Sequence, residues 1–159
     1  MNRSCIAFAC AVALPVFTGR AYAQDSGDSC ALLTAAEVTQ ALGVTVLPGH
    51  RMGSSSLNVC IFAPTTKFGP GERQIVVTVV PSAMFDVSNR AHGNAVATPA
   101  TVSGAEAYFL TFGTVTTIHV REKGKAFEVR MNPGRDGHET LPQIQGIETS
   151  LAGKAAARV

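Results

Sequence analysis

Tryptophan is absent from the 159 residues, tyrosine occurs twice, and charged side chains make up only 15% of the chain. No apolar run reaches the ~18 residues that a membrane-spanning helix requires. The formal charge of +2 is too small for the basic footprint of a nucleic-acid binder. A hydrophobic content of 46% is too high for a disordered chain, and the length leaves room for one domain of ordinary size. Familiar catalytic templates are missing as well. There is no Gly-x-Ser-x-Gly elbow, no His-Glu-x-x-His helix, no phosphate loop and no dinucleotide fingerprint.

The chain does carry an address. Arg3 precedes a mostly apolar stretch from Cys5 to Phe17, and Ala21-Tyr22-Ala23 then places Ala21 and Ala23 at the −3 and −1 positions of a cleavage site. Residues 1–23 read as a secretory signal peptide, so the mature chain begins at Gln24 and is periplasmic or secreted. Cleavage removes Arg3 and Arg20 and leaves eleven basic against eleven acidic residues, a net charge of zero. It also removes Cys5 and Cys10. The remaining pair, Cys30 and Cys60, is expected to form one structural disulfide, since export favours oxidation and no Cys-x-x-Cys redox motif is present.

Residues 24–29 are a polar leader, expected to be flexible until Cys30 pins it. Thr34-Ala-Ala-Glu37 is a capping box, flanked by Leu33 and Val38 at staple positions, and Gly43 closes the short helix. Val44 to Leu47 and Asn58 to Ala63 read as strands, with a loop over His50 to Ser56. Gln74 to Val80 is a β-branched run that predicts a strand covered on both faces. Pro81-Ser82 starts a helix of about ten residues by cap and propensity arguments. Thr98 to Ser103 reads as a connector. Three strands follow, over about Ala107–Phe112, Val115–Glu122 and Lys125–Asn132. The last helix runs from Thr140 to about Ala157, with Leu141, Ile144, Ile147, Leu151 and Ala155 as its apolar stripe.

These elements predict an α+β fold, an antiparallel sheet with helices mainly on one face, in the order α-β-β-β-α-β-β-β-α. The domain spans residues 30–159. Cys30-Ala-Leu-Leu-Thr-Ala-Ala-Glu37, the second cysteine Cys60, Gly104-Ala-Glu-Ala-Tyr108 before paired strands, and an alanine-rich C-terminal helix resemble small exported bacterial domains of unknown function, many of them lipoproteins. The resemblance implies export and the disulfide and brings no catalytic residues.

Turn chemistry fixes two registers. A Lys123-Gly124 turn pairs Val120 with Phe127, Ile118 with Val129 and Thr116 with Met131 on the core face, and His119 with Glu128 on the other. A Gly113-Thr114 turn pairs Phe109 with Ile118 and Tyr108 with His119. Tyr108, Leu110 and Phe112 then crowd a face that would otherwise meet solvent, which calls for a cover or a partner.

Aromatic side chains beside an arginine suit a partner surface, so Tyr108, Leu110, Phe112, His119, Glu128 and Arg130 form the candidate interaction surface. The histidines His50, His92, His119 and His138 are too widely spaced for a local metal motif. His138-Glu139 reads as a capping or solvated pair. Arg121, Lys123, Lys125, Arg130 and Arg135 read as a solvated hairpin region, and Ser54-Ser55-Ser56 as a loop. We assign no catalytic, cofactor or metal-binding residue. The expectation is a non-enzymatic binding domain for a protein or small ligand, with no nucleic-acid partner and no membrane span in the mature chain. The alternatives are a small-ligand or metal carrier of the cell envelope, and an enzyme inhibitor or uncommon hydrolase.

Overall fold

A computed structural model of the chain describes residues 27–53, 58–69, 71–90 and 93–159. The expected signal peptide with Ala21 and Ala23, residues 24–26 of the expected leader, the Ser54–Ser56 run and His92 lie outside the described residues.

Among the described residues, seven strands form one antiparallel sheet: β1 (His50–Met52), β2 (Asn58–Phe62), β3 (Gln74–Val80), β4 (Val96–Val102), β5 (Ala105–Phe112), β6 (Val115–Glu122) and β7 (Lys125–Asn132). Their spatial order is β1-β2-β3-β7-β6-β5-β4. Three α-helices accompany them, α1 (Ala35–Leu42), α2 (Ser82–Arg90) and α3 (Leu141–Ala156). Side chains alternate across a sheet, so Cys60, Ile75, Val77, Phe109, Ile118, Val120, Phe127 and Val129 share one face. That face packs with α1 and α3 into the main core. The helix α2 lies on the opposite face, where its Phe85 packs with Tyr108 and Ala126.

Local signals account for the helices. In α1 the Thr34 N–H donates to Glu37 Oε2 at 2.8 Å, and the Glu37 N–H donates to Thr34 Oγ1 at 3.3 Å. Leu33 and Val38 are both buried. Gly43 ends the helix at φ +68°, a left-handed conformation that glycine adopts without a Cβ clash. The strand β3 carries a solid buried run only from Gln74 to Val77, and its second half is partly exposed.

Two strands differ from expectation. Val44 to Leu47 is not a strand: Val46 is buried, and the Leu47 N–H donates to Ala63 O at 2.9 Å. The first strand is instead His50–Met52, within the expected loop. The expected connector from Thr98 to Ser103 contains most of β4, whose register places Pro99 against Tyr108. An edge strand accommodates proline because the missing N–H faces no neighbour. The sheet therefore gains a fourth strand after α2.

Residues 27–29, the described end of the expected flexible leader, are held in place. Asp28 accepts from the Cys30 N–H at 2.9 Å, Ser29 is fully buried, and Asn58 Nδ2 donates to Gly27 O. The disulfide Cys30–Cys60 joins this segment to the centre of β2.

Candidate functional site

The registers align one row across all seven strands: Met52, Val59, Thr78, Glu128, His119, Tyr108 and Pro99. This row lies on the face opposite the main core. The two expected hairpin registers are the observed ones, the first as far as Ile118–Val129: Val120 faces Phe127, His119 faces Glu128, and Tyr108 faces His119. Positive φ at both Lys123 and Gly124 makes the two-residue turn that sets the first of them.

The row supports a stack beneath α2. His119 Nδ1 lies 3.2 Å from Glu128 Oε1, a charged pair when the imidazole is protonated. The Tyr108 ring lies parallel to His119, with centroids 4.8 Å apart, and Phe85 meets Tyr108 edge-on at 4.9 Å. The Tyr108 hydroxyl donates to Phe85 O at 2.9 Å, so the phenol is satisfied within the fold. Burial pushes its pKa up to about 12.

Arg121 also ties the helix to the sheet. Its guanidinium lies 4.5 Å from the Phe85 ring centroid and donates to Asp86 at 2.8 Å and to Glu106 at 2.5 Å. Hydrogen bonding to these two carboxylates raises its pKa above the ordinary arginine value.

The six expected surface residues therefore share one face, but α2 divides them. Tyr108 and His119 are buried beneath it, at 4% and 5% exposure. Leu110 is half-buried and packs against the Phe85 cluster. Glu128 is half-buried, and Arg130 is exposed and makes no ion pair among the described residues. Phe112 is 64% exposed, and its cross-strand partner Val115, absent from the expected set, is 49% exposed. The open surface is thus the tip of the β5–β6 hairpin and the uncovered part of β7. Only the packing of α2, which neither periodicity nor spacing reveals, separates covered from open residues.

The remaining candidates are dispersed. Arg121 is committed to α2, and Lys123 donates to Val159 O at 3.2 Å. His50 stacks on Phe68 at 5.1 Å, and His138 is exposed. Glu139 pairs with Arg73 across the fold rather than with His138. Among the described residues no group of three or more His, Cys, Asp or Glu side chains is placed to hold a metal ion. A groove of about 420 Å³ lies between α1 and α3, lined by Ala41, Glu139, Gln143, Gly146, Ile147 and Ser150. No helix among the described residues is long and apolar enough to cross a membrane.

Compared with known proteins, the chain matches no family model, no curated protein and no solved structure.

Proposed function

We propose that the chain is an exported, non-enzymatic binding domain whose contact surface is the β5–β6 hairpin tip together with the open part of β7. The single observation that carries the reading is the exposure of the Phe112–Val115 pair, two apolar side chains side by side on one face. A buried aromatic anchor contributes more to association than most interface contacts. Arg130, exposed on that face without an ion pair among the described residues, adds a demand for opposite charge. The partner is a protein surface with an apolar recess for Phe112 and a carboxylate within reach of Arg130. Tyr108 and His119, buried under α2, flank the half-buried Leu110 and Glu128 on the same face and hold the edge of this surface in place.

The test places a photo-crosslinking residue at Thr114, the apex of the turn, in the chain exported from its own host. The expected result is one discrete adduct that disappears with Phe112→Ser and weakens with Arg130→Glu. A control crosslinker at Gln40, exposed on α1 on the other side of the sheet, yields no such adduct. The same adduct from both positions, or none from Thr114, overturns the reading. Export itself predicts that the mass of the recovered chain begins at Gln24.

A further inference from the structure

The middle of α3 holds a carboxylate where an apolar side chain belongs. Glu148 is fully buried, one helical turn from Ile144 and Leu151, against the sheet. The β6–β7 pairing stops at Ile118–Val129, short of the expected Thr116–Met131 pair. At that point the Met131 N–H donates to Glu148 Oε1 at 2.9 Å. The helix side chain thus completes a backbone bond at the place where the strands separate. The second oxygen, Oε2, is buried and has no hydrogen-bond partner among the described residues.

Such an arrangement suits the acid rather than the carboxylate. Oε1 serves as an acceptor in either state, whereas a charge on the unpartnered Oε2 would be left in the core without compensation. The elements around it supply little positive charge. On β6 the inward residues near it are Thr116, Ile118 and Val120, with Glu122 at the far end of the strand. On β7 they are Phe127, Val129 and Met131, with Lys125 at the far end. The α1 carboxylate Glu37 is held by Arg158, Glu139 is held by Arg73, and β4 carries no titratable residue. Among the described residues Arg130, on the opposite face of β7, is the charge that acts to favour ionisation.

We infer that Glu148 is a proton-linked latch: α3 docks on β6 and β7 with this carboxyl protonated, and undocking releases the proton to solvent. Burial outweighs the Met131 hydrogen bond and Arg130 and raises the pKa from 4.5 to about 8. The proton is therefore held in the docked state at neutral pH and given up when the helix leaves. Acidification tightens α3 on the sheet, and alkaline conditions loosen it.

The test compares the intact chain with Glu148→Gln, which keeps the acceptor for Met131 and cannot ionise. Urea unfolding of both is measured at several pH values between about 5.5 and 8. Across that window the wild-type unfolding constant is expected to rise about tenfold per pH unit relative to the variant. Amide exchange in α3 is expected to follow the same divergence. Parallel pH profiles overturn the inference. Should the glutamine variant fail to fold, infrared spectroscopy of the wild type decides. A protonated-carboxyl band of a buried acid at neutral pH, lost above about pH 9, supports the latch, and its absence at neutral pH refutes it.

Discussion

Replacing both Cys30 and Cys60 by alanine isolates the contribution of the disulfide. The bond closes a sequence separation of 30 residues. The chain-entropy relation for a loop of that length gives about 3–4 kcal/mol, arising from the restricted unfolded chain. Native contacts near the bond do not depend on it and are expected to survive its removal. Leu32 and Leu33, at 5% and 2% exposure, still bury their side chains in the main core. The Ser29 N–H still donates to Asn58 Oδ1 at 3.0 Å. The variant is therefore expected to keep its fold and to lose about 3–4 kcal/mol in equilibrium urea unfolding. Its denatured ensemble is freer to expand, so the dependence on urea should steepen, because that slope follows the surface exposed on unfolding. Amide protection at Leu32 and Leu33 should persist under native conditions. A loss below about 1 kcal/mol with an unchanged slope would refute the argument that the bond acts on the unfolded chain.

Two further predictions concern single positions. The Arg158 hydrogen bond, helped by those of Thr34, lowers the Glu37 pKa from 4.5 to about 2, so the stability it contributes is present above about 4.5 and lost as pH falls toward 2. With Arg158 about a third exposed, solvent screening limits the effect to about 1 kcal/mol, and Glu37→Gln should flatten that part of an acid-unfolding curve by this amount. Gly49→Ala should destabilise by about 1–3 kcal/mol in thermal unfolding, an overpacking cost. Its Cβ would stand 2.6 Å from Cys60 Sγ and 2.8 Å from the Phe62 ring, and the disulfide leaves that sulfur little freedom to yield.

Local chemistry made part of this molecule legible and left the rest hidden. The α1 capping box and the two hairpin registers depend on residues a few positions apart, so Thr34, Glu37, Lys123 and Gly124 carry the information themselves. The edge strands depend on their neighbours. Pro99 reads as a breaker in isolation, and only its pairing position opposite Tyr108 at the sheet edge makes it compatible with β4. The three residues of β1 are too few to show alternation, and β2 supplies their partners. For the candidate surface, sequence brought Tyr108, Leu110, Phe112, His119, Glu128 and Arg130 to one face. It did not reveal which of them α2 covers, since that requires a helix to cross the sheet. Glu148 was missed because a glutamate within a helix reads as solvated. The available signal was its spacing, four residues after Ile144 and three before Leu151, inside the apolar stripe.

Glu37 and Glu148 are the same residue type in the same layer of the fold, and their environments drive them in opposite directions. A guanidinium and a helix start surround Glu37, which favours the charge, and an apolar interface encloses Glu148, which favours the proton. In both, the pKa of the unfolded chain is close to 4.5, so both linkages begin there and run apart. Below about 4.5 the layer loses the contribution of Glu37, and above about 4.5 it progressively loses that of Glu148 until the folded carboxyl itself ionises near 8. Taken together, these two groups place the strongest docking of α1 and α3 at mildly acidic pH. Removing both charges, in Glu37→Gln combined with Glu148→Gln, should flatten both limbs at once. The first acts by way of an ion pair at the chain end and the second through the core, so their effects should add unless α1 and α3 move as one body.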